Sequence, residues 1–393
     1  MTEILLTIFF ISVLLFFLGT GIWVALSMIG VSSIGMMLFT SRPVGDAMAT
    51  TIWGASSSWT LTALPLFVWM GEILFRTKLS ENLFKGLAPW MQRLPGGLIH
   101  VNVVGCALFA AISGSSAATV ATVGKMSIPE LRKRKYPEKI LLGSLAGSGT
   151  LGLLIPPSII LIIYGVTVQE SIAKLFIAGI IPGIMIALIF MSYVIVWSLI
   201  NKKSMPKSSE NSSFLEKVKK SKQLMPVVLL ILAVIGSIYT GIATATEAAS
   251  LGVVGALILS FFQKSLTKET FKASLLGATK TSCMIAFILA GATFLSLAMG
   301  FTGLPRNLAI WIQSMELSPY VLIFVLMIFY IILGMFLDGI SAVVLTMAII
   351  EPMIRQAGFD MIWFGIFLVV VVEMAQITPP VGFNLFVLQG MAN

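Results

Sequence analysis

The 393-residue chain has few charged residues and almost no histidine or cysteine. Asp, Glu, Lys and Arg make up 10% of it, whereas soluble globular domains carry about 25%. His100 is the single histidine. The two cysteines, Cys106 and Cys283, both lie in apolar runs, where we expect them to be buried. Two buried cysteines provide neither a disulfide framework nor the spacing of a metal site.

Most of the sequence consists of long apolar runs. Hydrophobic residues make up 58% of the chain, and several runs reach the ~20 helical residues that cross a bilayer. A membrane β-barrel would instead show short segments of alternating polarity. The composition therefore predicts an all-α polytopic membrane protein, with the lipid bilayer as its surroundings. The first apolar run follows Met1-Thr2-Glu3, which lacks the basic region of a cleavable signal peptide, so we expect it to remain as a span.

The positive charges lie in clusters between the apolar runs. Of 25 Lys and Arg residues, 21 fall in four groups, at 76–93, 125–139, 202–222 and 264–280. Clustering of this kind marks the cytoplasmic loops of a membrane protein. Although the net charge is +9, no basic domain with interleaved aromatic residues exists outside the membrane. We therefore expect no nucleic-acid partner.

A small, hydroxyl-rich stretch, Ser113-Gly114-Ser115-Ser116-Ala117, interrupts the apolar region 97–128. Irregular backbone at membrane depth survives only where protein or a water-filled cavity covers it. Basic clusters flank both ends of this region, so it predicts a re-entrant hairpin open to the cytoplasm. By itself the stretch fits equally well a close helix–helix contact that requires small residues.

Two further apolar segments contain breaks. The crossing at 140–166 carries Gly147-Ser148-Gly149-Thr150 and then Pro156-Pro157, and the segment at 361–393 carries Thr378-Pro379-Pro380. Proline removes a backbone donor and disfavours helix at the preceding residue, so we expect both helices to be broken inside the membrane. The Lys- and Ser-rich segment 201–222 predicts a cytoplasmic linker between two halves.

The second half repeats the pattern of the first. Ser113–Ala117 corresponds to Asp338-Gly339-Ile340-Ser341-Ala342, and Leu79–Leu83 to Leu304–Leu308, both 225 residues later. Pro129 corresponds to Pro352, and Pro156-Pro157 to Pro379-Pro380, both 223 residues later. Four anchors in one order predict an internal repeat with a second hairpin at 319–354.

The distribution of charge predicts that the two repeats are inverted. Three crossings after the cytoplasmic linker place the second hairpin on the outer side, where only Arg306 and Arg355 flank it. Inverted repeats with broken helices are typical of secondary transporters, whose sites lie near the membrane midplane. On this topology the N-terminus is periplasmic. The repeat partner of 174–200 would begin near 398, so we expect the final span to be missing.

Residues whose oxygen atoms can bind a cation lie at the two hairpin tips and at the two helix breaks. Asp338 lies at the second tip, and Glu373 precedes the second break at the position equivalent to Thr150. Intramembrane ionisable residues are rare and usually functional. Hydroxyls, carbonyls and a carboxylate suit a small hard cation, so we expect two Na⁺ sites with substrate between them. The alternative role for Asp338 is to cap the N-terminus of a helix, and the same carboxylate could both cap the helix and bind a cation.

Several motifs together resemble the large membrane subunit of tripartite ATP-independent periplasmic (TRAP) transporters. The motifs are Ser113–Ala117, Gly149-Thr150-Leu151-Gly152 with Ile155-Pro156-Pro157-Ser158, Gly334-Met335-Phe336-Leu337-Asp338 and Thr378-Pro379-Pro380-Val381-Gly382. The likeness covers nearly the whole chain. It implies a protein of the bacterial inner membrane that is not an enzyme but a Na⁺-driven importer of organic acids. It also implies two partners, a small four-helix membrane subunit and a periplasmic substrate-binding protein.

The resemblance further implies an elevator-type secondary transporter, similar to the ion transporter superfamily, in which a transport domain slides against a scaffold. We expect scaffold helices at about 1–59, 174–200 and 223–262, and transport elements at about 60–170 and 275–393. The residues expected to hold Na⁺ are Ser113, Gly114, Ser115, Ser116, Gly149, Gly152, Pro156, Asp338, Gly339, Ser341, Thr378 and Pro379. The residues expected to bind substrate are Ser116, Thr119, Thr150, Asp338, Glu373 and Asn384. Sialic acids, C4-dicarboxylates and sugar acids all remain open as substrates.

Two alternatives remain. One is a standalone Na⁺/carboxylate symporter of the same broad fold, which would need no binding protein. The other is an intramembrane protease. Its serine form would need His100 to reach Ser115 or Ser116 from the opposite end of a hairpin arm, and its aspartyl form would need two Asp residues on facing spans. We expect neither arrangement.

Overall fold

The chain forms a bundle of α-helices in the computed structural model, which describes residues 2–76, 79–206, 214–222, 224–303, 318–380 and 382–392, with isolated positions at 305, 307, 310 and 314. Four of the described helices are long and apolar enough to cross a membrane, and the number rises to seven if each of three bent helix pairs counts as one span. Five shorter apolar helices accompany them. The prediction of an all-α polytopic membrane protein is confirmed.

The described residues between 2 and 206 form eleven α-helices. They are α1 (Thr2–Gly19), α2 (Val24–Phe39), α3 (Val44–Ser56), α4 (Ala63–Phe75), α5 (Leu79–Met91), α6 (Ile99–Ser113), α7 (Ser116–Lys133), α8 (Glu138–Gly149), α9 (Leu151–Leu154), α10 (Ile159–Thr167) and α11 (Ile172–Ile200). Short 3₁₀ helices lie at Trp59–Thr62 and Lys202–Ser204.

The described part of the remaining chain forms eight helices with defined bounds. They are α12 (Phe214–Ser221), α13 (Met225–Tyr239), α14 (Ala245–Phe262), α15 (Lys268–Thr302), α16 (Pro319–Gly334), α17 (Gly339–Gln356), α18 (Met361–Gln376) and α19 (Phe383–Ala392). The expected linker 201–222 contains α12. The expected span at 275–300 is seven residues longer at its start, because Thr267 and Thr270 form a capping box there.

Helix pairs occupy both places where the sequence predicts a hairpin. The first pair is α6 and α7, which pack against each other and on α8 and α9. The second pair is α16 and α17, and α18 packs against both of these helices. Of the four repeat anchors, the one at Leu304–Leu308 falls mainly outside the described residues. The hairpin interpretation of the Ser113 stretch agrees with the helix bounds.

The first predicted break lies between α9 and α10, where Ile155 to Ser158 leave the helix and the two segments meet at an angle of 40°. The second lies between α18 and α19. Both proline pairs, Pro156-Pro157 and Pro379-Pro380, contain a cis peptide bond. The Gly147–Thr150 segment does not break the helix, since α8 continues to Gly149 and Thr150 keeps helical backbone angles.

The largest buried cluster of apolar side chains includes residues of both hairpins and of α4, α10 and α18. Some buried hydroxyls donate to the carbonyl one helical turn earlier, as Ser148 of α8 does to Ser144 and Ser260 of α14 does to Ala256. The expectation that both cysteines are buried is half wrong, because Cys106 is buried and Cys283 is exposed.

Candidate functional site

The tip of the first hairpin is built by local capping. Gly114 ends α6 in the left-handed conformation with φ of 60°, which favours glycine. Ser115 then caps α7, where its hydroxyl accepts a hydrogen bond from the Ala118 N–H at 3.4 Å. The chain therefore reverses between Ser113 and Ser116, and the ends of two helices meet at one point.

The first tip rests directly on the broken helix. The Gly114 carbonyl accepts a hydrogen bond from the Ile159 N–H at 3.3 Å, just after the proline pair. A Cβ at Gly152 would lie 2.6 Å from the Ser115 carbonyl oxygen and 2.6 Å from the Ser116 Cα. Only glycine at position 152 permits this approach of backbone to backbone.

Hydroxyl groups fill the interior of this tip. The Ser113 and Thr119 hydroxyls are 2.9 Å apart, and Ser113 also donates to the Ser115 carbonyl at 3.3 Å. The Ser116 hydroxyl donates to Glu373 Oε1 at 2.5 Å, although the two residues are 257 positions apart. Glu373 is 4% exposed, and its Oε2 has no hydrogen-bond partner among the described residues. The tip thus brings several hydroxyls together, and one of them bonds to a buried carboxyl group from the other half of the chain.

The second tip begins α17 with a side-chain cap. Asp338 Oδ2 accepts a hydrogen bond from the Ser341 N–H at 3.1 Å, so the N-cap role is confirmed. Asp338 is only partly buried, whereas Gly339 and Ser341 are buried. A Cβ at Gly339 would lie 2.6 Å from the Gln376 side-chain nitrogen, which places α18 against this tip.

The two tips face one cavity of about 1260 Å³. Residues of α2, α4 and α15 form much of its other wall, and α9, α10, α18 and α19 each contribute one residue. The predicted site residues that line it are Ser113, Ser115, Ser116, Asp338, Gly339 and Ser341. Because hydroxyls and a carboxylate converge from both halves of the chain, this cavity is the place where a small polar solute could bind.

The other predicted site residues lie behind the cavity wall. Gly114 and Gly152 support the first tip, and Thr119 bonds to Ser113. Gly149 lies against Val120 of the hairpin. Thr150 is buried and donates to the Gly147 carbonyl at 2.6 Å.

The remaining predicted residues surround the second break and the proline pair of the first. Pro156 is buried next to Gly179. Thr378 donates to the Met374 carbonyl at 2.7 Å, and the neighbouring Pro379 is exposed. Asn384 is completely buried, and neither polar atom of its amide has a partner among the described residues. For all these residues, contact with Na⁺ or substrate stays a prediction.

Four polar residues on the cavity wall were not predicted as site residues, namely Glu72, Lys280, Thr281 and Gln376. Gln376 is buried beside the second tip. It is the last polar residue before Thr378-Pro379, and this position in the sequence could have identified it as a site residue. Glu72 and Lys280 line the cavity from α4 and α15. Lys280 belongs to the basic cluster at 264–280 that was expected to mark the cytoplasmic face, and it also falls within the expected span 275–300; the structure places it in α15.

His100 does not reach the serines of the first tip. It lies in the first turn of α6, where its Nε2 is 2.7 Å from the Pro95 carbonyl oxygen. Ser115 follows the other end of the same helix, about 20 Å away at 1.5 Å per residue. The serine–histidine pair of a protease is therefore absent from this hairpin.

We expect Glu373→Ala to destabilise the protein by about 1–3 kcal/mol, because it leaves the buried Ser116 hydroxyl without its acceptor. Glu373→Gln keeps an acceptor oxygen and should retain most of the stability. Thermal unfolding of the purified membrane complex measures the difference. Met374→Ala is the matched control, since Met374 is exposed next to Glu373. Equal unfolding temperatures for the Ala and Gln variants would contradict the role of this hydrogen bond.

A polytopic helical protein with two hairpin tips and broken helices around one cavity defines the class of membrane transport proteins. The family model for the tripartite ATP-independent periplasmic transporter, DctM component, matches residues 10–393. The chain therefore belongs to the family of TRAP transporter large membrane subunits, which are multi-pass proteins of the bacterial inner membrane. TRAP transporters work with a small membrane subunit and a periplasmic substrate-binding protein.

Two curated relatives are similar over most of their length. The C4-dicarboxylate TRAP transporter large permease protein DctM of Pseudomonas aeruginosa is 33% identical over 91% of this chain and 84% of its own length. The sialic acid TRAP transporter large permease protein SiaM of Vibrio cholerae is 31% identical over 94% of this chain and 86% of its own length. Both similarities extend across both hairpins.

A solved structure supports the fold. The YdaH transporter of Alcanivorax borkumensis matches with a TM-score of 0.62 over 94% of this chain and 89% of its own. The sequence identity is 12%, so this likeness concerns the fold alone.

Proposed function

We propose that this protein is the large membrane subunit of a Na⁺-coupled TRAP transporter that imports an organic acid delivered by a periplasmic binding protein. The observation that carries the proposal is the shared cavity between Ser113–Ser116 and Asp338–Ser341. The printed names of the two relatives concern C4-dicarboxylate and sialic acid, which are both carboxylates. A carboxylated substrate is therefore the class that the proposal assigns to this chain.

The proposed Na⁺ sites use oxygen atoms of the two tips. The first comprises the tip residues Ser113–Ser116 together with Gly149, Gly152 and Pro156 behind them. The second comprises Asp338, Gly339, Ser341, Thr378 and Pro379. Hydroxyl, carbonyl and carboxylate oxygens fit a small hard cation, and the described residues offer no cluster of three His, Cys, Asp or Glu that would favour a transition metal.

Substrate lies between the tips in this proposal. Ser116 and Asp338 line the cavity and would touch the substrate. Thr119 and Glu373 hold the first tip through Ser113 and Ser116, so they would fix the geometry of the tip. Thr150 and Asn384 would contribute from the two breaks. Na⁺ at the tips offsets the negative charge of an incoming carboxylate, which gives a physical reason for coupling.

We further propose an elevator movement of an inverted repeat, with residues 1–200 and 223–393 as the two repeats. Helix pairs of matching order, α6–α7 and α16–α17, each followed by a helix with a proline break, support this division. Each tip would close one side of the cavity, the first towards the cytoplasm and the second towards the periplasm. On this topology the N-terminus is periplasmic.

Reconstituted uptake tests the tripartite assignment. The large and small membrane subunits are placed in proteoliposomes with a Na⁺ gradient, and uptake of labelled succinate and N-acetylneuraminate is measured with and without the cognate periplasmic protein. We expect uptake only when the binding protein is present. Undiminished uptake without it would identify a standalone symporter and overturn the tripartite proposal.

A further inference from the structure

Lys280 stands apart from the other lysines of its cluster. It is the thirteenth residue of α15, so it lies about 18 Å along the helix axis from Lys268 at 1.5 Å per residue. Its side chain is exposed and lines the central cavity. α15 is long and apolar enough to cross a membrane, and a lysine within such a helix is costly unless it faces water or a partner.

A series of contacts places Lys280 near the first tip. A Cβ at Gly71 of α4 would lie 3.0 Å from the Ile112 carbonyl oxygen of the hairpin. The next residue, Glu72, approaches α15, where a Cβ at Gly277 would lie 2.6 Å from its carboxylate. Lys280 follows Gly277 by three residues, which is just under one helical turn. Lys280 therefore belongs to the same part of the cavity as the hydroxyls of the first tip.

Lys280 is the one lysine or arginine among the described residues that line this cavity, and two carboxylates, Glu72 and Asp338, line it as well. Glu72 forms an ion pair with Arg76 at 2.9 Å within α4. Asp338 caps α17 across the cavity. Lys280 forms no ion pair or side-chain hydrogen bond with any residue that the structure describes. Its ammonium group is thus available to a mobile anion inside the cavity.

We propose that Lys280 is a substrate-contacting residue, whose ammonium group binds a carboxylate of the organic acid on the α15 wall while the tips hold the rest of the molecule. This assignment rests on the proposed function for the class of substrate. A fixed cation without a protein partner attracts anions into a water-filled site and discriminates against neutral or cationic solutes. Lys280 would accordingly add charge selectivity to the uncharged hydroxyls of the first tip.

Uptake by the reconstituted complex provides the first test. Lys280→Gln should lower the initial rate at subsaturating substrate by about tenfold, as expected when one member of a charge pair in a wet site is lost. Lys280→Arg keeps the charge and should restore most of the rate. Lys272→Gln is the matched control, because Lys272 is exposed on the same helix two turns earlier and does not line the cavity. If Lys280→Gln transports at the unmodified rate, the proposal is overturned.

The native Cys283 provides a second test that needs no transport. It is exposed, lines the same cavity and lies three residues after Lys280, whereas Cys106 is buried. We would measure its modification by an anionic sulfonate and by a cationic trimethylammonium methanethiosulfonate reagent, in the assembled complex. We expect Lys280→Gln to lower the anionic-to-cationic rate ratio several-fold, Lys280→Arg to preserve it, and Lys272→Gln to leave it unchanged.

The two tests distinguish a failure of the proposed function from a failure of the inference about Lys280. If the unmodified complex takes up no organic acid, the proposed function fails, and the Cys283 ratio still reports whether Lys280 sets the charge of the cavity. If uptake is normal but neither the rate nor the ratio responds to Lys280→Gln, the inference about Lys280 fails alone.

Discussion

Asp338→Ala should abolish Na⁺-dependent uptake while leaving membrane insertion intact. Loss of an N-cap costs about 1 kcal/mol, which a folded helix in a packed bundle tolerates. Loss of the carboxylate also removes its attraction to the proposed Na⁺. This attraction is about 4 kcal/mol for two unit charges ~4 Å apart at an effective dielectric constant of about 20. The second effect is larger, so we expect the variant to fold and fail in transport. Uptake at several Na⁺ concentrations measures the loss.

Asp360→Ala is the matched control for Asp338. Asp360 caps α18 in the same way, with its Oδ1 accepting the Trp363 N–H at 2.8 Å, but it does not line the cavity. It should lose a similar amount of stability and keep its dependence on Na⁺. Asp338→Asn retains a capping group without the charge and should behave like Asp338→Ala. Normal sodium dependence in Asp338→Ala would count against the second cation site.

Gly152→Ala should have the second large effect, because its Cβ would lie 2.6 Å from the backbone of Ser115 and Ser116. Backbone atoms cannot rotate away as a flexible side chain can, so the whole tip must move. Overpacking of this kind typically costs about 1–3 kcal/mol. We expect a lower unfolding temperature and a strong loss of uptake, since displacement of the tip would disturb the proposed cation and substrate positions together.

Gly143→Ala on α8 is the control for this substitution. A Cβ at Gly143 meets nothing within 4 Å, and alanine has the higher helix propensity. This variant should be as stable as the unmodified protein or slightly more stable, with normal uptake. If Gly152→Ala and Gly143→Ala behave alike, the tip does not depend on close contact with α9.

The local features of the fold could be predicted from short sequence patterns. Capping depends on neighbouring residues, so Gly114 with Ser115 at one tip and Asp338 with Gly339 at the other indicate where helices end and begin. Proline acts on its own backbone and on the residue before it, so Pro156-Pro157 marks a break without tertiary information. These elements lie within a few residues of the expected positions.

Features that depend on packing between distant segments could not be predicted in the same way. No local pattern pairs Ser116 with Glu373, because the contact depends on how α7 and α18 pack. Lys280 was counted with the basic cluster at 264–280 and also falls within the expected span 275–300, but no local pattern shows that its position on α15 borders the cavity. Cys283 was expected to be buried for the same reason: an apolar run does not reveal which face borders a cavity.

The central claim is that the cavity between the two tips couples Na⁺ to an organic acid. Its most direct test is accumulation of labelled substrate in proteoliposomes that contain both membrane subunits and are supplied with the binding protein. With an inward Na⁺ gradient, we expect substrate to accumulate above its external concentration, and with equal Na⁺ on both sides we expect no accumulation. Equal accumulation in the absence of Na⁺, or accumulation driven by a proton gradient alone, would contradict the account.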